Sequence, residues 1–357
     1  MIGEKMEYKI GIIGKFGANQ NMYDGQTVKT KNLANLLQNT GRVEIFKIDT
    51  CYFRKRNVKL MLDTLKGMLL CKHIFLMVSV NGMRFYLPFL YWLNKIARRH
   101  IYHYIIGSEL LEMVREDPGL VRYLNALSVN WFEYESGTRF LESSGVKNVH
   151  TLSNFKLLTP VPAPTEYQDE AGIYRFCTFS RVMEEKGITE AIEAVRSINE
   201  KMGRVVAVLD IYGPVEACYE KKLDELLAEN SNCAAYRGVV DSQSSVDVLK
   251  DYYALLFPTR WPGEGVPGTV IDAFAAGIPI IASDWNANRE IIDGGKQGLL
   301  YPNEIVSTLE DAVYWSVCNP DVMQQMRICS REEFVKYMPD TILNVILNEM
   351  EKNELER

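Results

Sequence analysis

Short apolar runs rich in β-branched residues alternate with longer amphipathic stretches through most of this 357-residue chain. Run, helical stretch, run is the pattern of a parallel sheet, because parallel neighbours need a crossover long enough to return to the same edge. In the first half the runs fall at residues 8–13, 43–48, 73–80, 101–106, 126–130 and 149–152, with helical periodicity at 27–38, 58–70 and 85–98. The pattern stops at Pro160, Pro162 and Pro164, whose fixed φ angles suit neither a helix nor a central strand. It restarts with strands expected at 174–179, 205–212, 253–257 and 279–282, and helices at 189–202, 219–229 and 269–276. The expected fold class is α/β with two doubly wound domains. Residues 1–153 form the first, 154–172 a linker and 173–335 the second, while a charged helical tail at 336–357 frames the second domain or crosses back to the first.

Composition excludes several classes. A 47% hydrophobic and 24% charged chain is neither disordered nor a small disulfide scaffold. Its seven cysteines include no Cys-x-x-Cys pair, which fits reduced thiols and excludes zinc ribbons and thioredoxin-type chemistry. Four histidines without metal-ligand spacing argue against a zinc hydrolase. The apolar stretch 73–93 is interrupted by Asn81, Gly82, Arg84 and Pro88, so no spanning helix is expected. Residues 1–7 carry no apolar core of a secretory signal, and a cytoplasmic location is expected. Charge is uneven: residues 1–110 hold 17 Lys and Arg against 7 Asp and Glu, leaving −16 on the remainder of a chain whose net charge is −6. A basic half can meet nucleic acid, anionic lipid or phosphorylated small molecules.

The densest chemical signal runs from Leu256 to Asp284. An apolar strand ends at Phe257, a loop rich in Gly and Pro follows, a helix starts near Gly268, and Gly277 breaks it before another apolar strand. Free N–H groups of Gly268, Thr269 and Val270 would point out of that helix start, which is an anion site suited to phosphate. Glu264 and Asp272, separated by seven residues, would flank the same pocket as acceptors for sugar or ribose hydroxyls. The competing reading is that acidic residues near a helix start complement the helix dipole.

This segment resembles the signature of glycosyltransferase family 4, retaining enzymes with the GT-B fold, in its bacterial surface-polysaccharide branch. The resemblance implies two Rossmann-like domains whose parallel sheets face a central cleft. It implies that Glu264 contacts donor-sugar hydroxyls and that Asp272, where the family has Glu, holds the nucleotide ribose. The segment Phe179–Gly187 resembles the family's strand-turn element, implying that Arg181 and Lys186 bind the donor diphosphate and stabilise its departure without a metal. The other reading of Lys186-Gly187 is a solvated turn before a helix. Residues 210–214, with Gly213, and 236–239, with Val239, occupy positions where the family shapes the nucleoside pocket. Arg237 could equally be a surface residue, and Glu290 belongs to a segment resembling the family's closing element.

The first half is less distinctive. Gly11, Gly14 and Gly17 are spaced three and three, unlike a dinucleotide fingerprint, which disfavours a dehydrogenase. Asp24-Gly25 resembles the family's glycine-rich loop, although an N-cap explains Asp24 equally well. Gly17, Gly25, Gly107 and Ser108 are the acceptor-site candidates, while His103 reads as a packing or hydrogen-bonded residue. No Asp-x-Asp pair is present, so no metal and no cofactor are expected. Arg54-Lys55-Arg56, Lys59 and Arg98-Arg99 beside an aromatic-rich segment read either as peripheral membrane contact with anionic lipid or as a solvated helix face. The patch matches no nucleic-acid module, so nucleic acid is not an expected partner. The expected partners are a nucleotide-diphosphate sugar, UDP-linked ahead of GDP-linked, and a glycan or lipid-linked acceptor. The alternatives are a nucleotide-sugar 2-epimerase and a sugar-nucleotide-binding protein without catalysis.

Overall fold

The computed structural model describes residues 8–18, 24–51, 57–162, 167 and 172–355. The chain divides into two compact units. One holds residues 1–157, Gly263–Val266 and Pro339–Arg357; the other holds Leu158–Pro262 and Pro267–Met338.

The first unit is built on six strands: β1 (Tyr8–Gly14), β2 (Val43–Asp49), β3 (His73–Met77), β4 (His100–Tyr104), β5 (Val129–Phe132) and β6 (Val149–Thr151). All pairings are parallel, in the order β2-β1-β3-β4-β5-β6. Strands β3, β4 and β5 are buried along their whole length, which is why they read as unbroken apolar runs rather than as alternation. The strand expected at 126–130 lies instead at Val129–Phe132, because Leu124 to Ser128 turn out of a short helix, with Ala126 and Leu127 N–H donating to Tyr123 and Leu124 carbonyls. Helix Val80–Ala97 starts five residues earlier than its periodicity suggests and contains Pro88 in its interior.

The second unit carries β7 (Tyr174–Phe179), β8 (Ala207–Tyr212), β9 (Ala234–Gly238), β10 (Ala254–Phe257), β11 (Ile280–Ser283) and β12 (Gly298–Tyr301). They are parallel in the order β12-β11-β10-β7-β8-β9. Strands β9 and β12 were not expected from sequence. Both lie at sheet edges, where β9 is partly exposed at Tyr236 and Arg237, and β12 is only four residues long. In this order the chain runs outward from β7 to β9, then returns to start again beside β7 with β10. The reversal lies between β7 and β10.

Helix Pro339–Leu355 belongs to the first unit. Its Ile342, Ile346 and Met350 are buried with Ile10, Leu33, Phe75 and Trp131 in one core, and Glu354 bonds to Lys72 (2.8 Å) and His73 (3.0 Å). Ile346 is fully buried, so Ile346→Ala should cost about 3 kcal/mol by cavity formation. Hydrogen exchange should then quicken in β1 and β3 and stay unchanged in β7 and β8; uniform exchange in both units would contradict this placement.

Candidate active site

In a parallel α/β sheet the carboxyl ends of the strands share one edge, and a crevice opens where the strand order reverses. In the second unit that point is the end of β7 and of its hydrogen-bonded neighbour β10. Ser180, Arg181 and the turn Glu184–Lys186 follow β7, and the loop to helix Gly268–Ala276 follows β10. The two stretches are tied together. Arg260 N–H donates to the Glu185 carbonyl (2.7 Å), the Arg181 guanidinium lies 5.0 Å from the Trp261 ring, and the Lys186 ammonium lies 5.7 Å from the Phe257 ring. Arg181 is half-buried and donates to Glu216 (2.9 Å), whereas Lys186 is 8% exposed. The loop after β10 is stapled from β11 and beyond by Ser283 Oγ to the Thr259 carbonyl (2.6 Å), Trp285 Nε1 to the Trp261 carbonyl (2.9 Å) and Asn286 Nδ2 to the Pro262 carbonyl (3.0 Å).

The helix start offers two donors rather than the expected three. Val270 N–H donates to the Pro267 carbonyl (3.1 Å), closing a tight first turn, so Val270 is corrected from the set of free amides. Gly268 and Thr269 N–H have no acceptor among the described residues, and the buried Thr269 hydroxyl has no hydrogen-bond partner there either. Asp272 lies one turn further on, 2% exposed, and accepts from Ser245 Oγ (2.8 Å). Gly213, after β8, has φ +130, and a Cβ there would meet the Ser180 carbonyl at 1.8 Å, so the loops after β7 and β8 cross at a place that admits only glycine. Tyr236 Oη donates to the Gly213 carbonyl (2.8 Å), and Val239 just beyond β9 is 48% exposed. Arg237 is an ion partner of buried Asp210 (2.6 Å), which also receives Arg175 and Tyr252. Burial would raise the Asp210 pKa; those three hydrogen bonds outweigh it and hold the carboxyl below its ordinary value. Glu290 is exposed on the surface.

Glu264, 8% exposed, lies in the segment Gly263–Val266 that counts with the first unit. There Gly265 and Gly263 stand against Gly107, which follows β4, and Val266 N–H donates to Glu133 Oε2 (2.7 Å). Asp24 caps helix Gly25–Gln38 through Thr27 N–H and pairs with Lys15 (2.9 Å). Gly17 has φ +88 in a turn shaped by Asp49, which accepts from Phe16 and Ala18 N–H, both at 2.8 Å. A Cβ on Gly25 would meet open space, and half-buried Ser108 begins helix Glu109–Glu116. Sequence reasoning missed Glu133 and Lys29, which form a buried ion pair at the carboxyl edge of this unit. The signal was present: Glu133 directly follows β5, and Lys29 shares the apolar face of its helix with Leu33 and Leu36. Among the described residues no group of three or more His, Cys, Asp or Glu could hold a metal ion.

His103 is fully buried in β4, with Nδ1 3.1 Å from Asn130 Oδ1 and Nε2 unpartnered among the described residues. Burial, aided by the nearby Lys29 charge and opposed by the Asn130 hydrogen bond, pushes its pKa down to about 4. A depressed histidine stabilises the fold above its unfolded pKa of about 6.5, and the contribution is lost as pH falls toward 4, because the unfolded chain takes up the proton first. Wild type should therefore lose about 3 kcal/mol over this window that His103→Gln does not lose, read from denaturant unfolding at several pH values. Parallel profiles for the two proteins would refute the assignment.

Fold and site define a class before any comparison: two α/β units with parallel sheets, the second with Arg181, Lys186 and the unpartnered Gly268 and Thr269 N–H groups at its carboxyl edge. Residues 174–319 match the family described as "Glycosyl transferases group 1". It is 25% identical over 169 residues to the 2-deoxystreptamine N-acetyl-D-glucosaminyltransferase of Niallia circulans, covering 47% of this chain and 42% of that one. It is 25% identical over 132 residues to the amylovoran biosynthesis glycosyltransferase AmsK of Erwinia amylovora, covering 36% and 32%. The chain thus spans less than half the length of these curated relatives. Its fold is that of Anabaena HepE solved with UDP and glucose, at TM-score 0.69 and 12% identity over 97% of this chain and 100% of that one. It is likewise that of a sucrose-phosphate synthase from Thermosynechococcus elongatus, at 0.72 and 13% over 98% and 100%. These neighbours have the GT-B architecture.

Proposed function

We propose that this protein is a retaining, metal-independent glycosyltransferase that moves a sugar from a nucleotide-diphosphate donor, UDP-linked in preference to GDP-linked, to a glycan or lipid-linked glycan in surface-polysaccharide assembly. The observation that carries this reading is the carboxyl edge of β7 and β10, where Arg181 and buried Lys186 are tied to the loop that ends in the unpartnered Gly268 and Thr269 N–H groups. Fixed cations and helix-terminal amides stabilise the negative charge that develops on a departing diphosphate, which removes the need for a metal. The same leaving group takes the proton of the attacking acceptor hydroxyl, which accounts for retention. Glu264 contacts the donor sugar, and Asp272, oriented by Ser245, holds the ribose. Gly213 and Val239 line the nucleoside pocket, and Gly17, Gly25, Gly107 and Ser108 the acceptor side. The HepE structure with UDP and glucose and the glycosyltransferase activities of the relatives support the donor class.

Thermal-shift titration with UDP, GDP, ADP, CMP and dTDP, with and without EDTA, tests the reading. One diphosphate should stabilise the protein regardless of EDTA, and Lys186→Ala should abolish that shift and cut transfer by about a hundredfold or more while leaving the unliganded melting temperature near wild type. Absence of any nucleotide effect would overturn the donor site, nucleotide stabilisation without any transfer would favour a sugar-nucleotide-binding protein that lacks catalysis, and conversion of the donor alone to an epimer would favour a 2-epimerase.

A surface of the first unit supports a lipid-linked acceptor. Helices Asn57–Leu70 and Val80–Ala97 are joined by Thr64 to Tyr86 (3.3 Å), and they expose Val58, Leu62, Leu69, Trp92 and Ile96, the last at 85%. Lys59, Lys66 and Lys95 are exposed along the same helices and Arg98 just after the second, Lys95 lies 4.0 Å from the Trp92 ring, and Asp63 is the single acidic residue of 57–100. Apolar side chains ringed by cations suit an anionic bilayer surface. Arg54-Lys55-Arg56 lie outside the described residues. Among those described, no helix is long and apolar enough to cross a membrane; from the basic, apolar face we propose peripheral contact with the cytoplasmic side of a membrane. Vesicles containing about 30% phosphatidylglycerol should sediment the wild type and release it at high salt, whereas a Leu62→Ser, Leu69→Ser, Trp92→Ser, Ile96→Ser variant should stay in the supernatant. Equal partition of both proteins would exclude this face.

A further inference from the structure

Lys29 and Glu133 form a buried ion pair, 3% and 4% exposed, in the first unit. Its members come from the helix Gly25–Gln38 and from the residue after β5, 104 positions apart. The Lys29 ammonium donates to one Glu133 oxygen and to the Ile105 carbonyl (3.0 Å), and it lies 3.8 Å from the Tyr104 ring. Burial draws the Lys29 pKa down, with the Glu133 charge and hydrogen bond opposing that effect. Desolvating two charges costs about as much as their attraction returns, so such a pair adds little stability compared with apolar side chains of similar volume. Its geometry does something that apolar side chains cannot. The second Glu133 oxygen accepts from Val266 N–H at 2.7 Å, and a Cβ on Gly265 would meet that oxygen at 2.1 Å. Asn154 Nδ2 donates to the Val266 carbonyl (3.0 Å), so Val266 is bonded on both sides of its peptide.

We infer that Glu133 is a positioning residue: held in direction by Lys29, its carboxylate clamps Val266 and so fixes the Gly263–Val266 segment on which Glu264 is carried. The inference rests on the transferase reading for its consequence, since a fixed Glu264 matters for the reaction only if Glu264 meets the donor sugar. The clamp itself is independent of that reading. Lys29 supplies the counter-charge that keeps one Glu133 oxygen occupied and leaves the other aimed at a single amide. Gly265 is the residue that lets the carboxylate approach.

Two double variants separate positioning from packing. Lys29→Met with Glu133→Gln removes both charges and keeps an amide oxygen for Val266 N–H. Lys29→Met with Glu133→Leu removes the acceptor and fills the same space with apolar atoms. Hydrogen exchange of the peptide spanning Gly263–Val266 should match wild type in the first variant and be about tenfold faster or more in the second, the range expected on losing a hydrogen bond to a charged group. If the Leu variant does not fold, Gly265→Ala gives the same reading, because its methyl group displaces the carboxylate. Unchanged exchange of this segment in every folded variant would overturn the inference. UDP release from UDP-glucose supplies the second readout: kcat should fall by about tenfold to a hundredfold in the Leu and Gly265→Ala variants, with KM for UDP-glucose held and recovery in the Gln variant. Wild-type kcat in an Leu variant with fast exchange would overturn the link to Glu264. No release by wild type would count against UDP-glucose as donor, while the exchange experiment still decides the clamp.

Discussion

The reversal of strand order between β7 and β10 is the constraint on which the rest of the second unit depends. Parallel strands place all their carboxyl ends on one edge, and right-handed crossovers send the chain to opposite faces on either side of a reversal. Loops leaving β7 and β10 therefore head for opposite faces of the sheet, and the Arg260 N–H bond to the Glu185 carbonyl ties them across the reversal. Arg181 and Lys186 leave the sheet on one side of it, and the amides of Gly268 and Thr269 stand at the start of the helix on the other. Gly213 completes the edge, because the loop after β8 must pass against the Ser180 carbonyl with no room for a side chain. Positive groups gather where the backbone itself offers hydrogen-bond donors suited to an anion.

The first unit uses the same edge differently. Its carboxyl ends carry Asp49, which shapes the turn at Gly17, and Glu133, which is bound on one side by Lys29 and on the other by Val266. His103 lies inside the sheet, neutral and bonded to Asn130, too deep for proton transfer at the edge. The chemistry of this unit is thus carried by carboxylates that orient backbone.

Much of the strand and helix pattern was legible because burial on both faces of a parallel sheet leaves continuous apolar runs, and because Gly277 and the proline cluster interrupt them sharply. Strands β9 and β12 were not legible. An edge strand carries exposed residues such as Tyr236 and Arg237, and four residues are too few to show a period. The carboxylates of the signature and the cations after β7 could be picked out from residue type and position. The number of free amides at the helix start could not, because whether Val270 N–H turns back to Pro267 depends on the tightness of the first turn. Neither could the engagement of Asp272 with Ser245, which brings together residues 27 positions apart.

By itself the sequence determined the alternation of elements, the parallel sheets, the signature loop between β10 and its helix, and the uneven charge of the two ends. These are local properties, set by hydrophobic period, by fixed or permissive φ angles and by residue charge. Tertiary structure decided which distant side chains share an environment. It joined Lys29 to Glu133 across 104 positions and Glu133 to Val266 across 133, and it returned the final helix to the core of the first unit. Those pairings arise from burial, which makes an unpaired charge or an unbonded amide costly and forces each to find a partner that the order of residues along the chain does not specify.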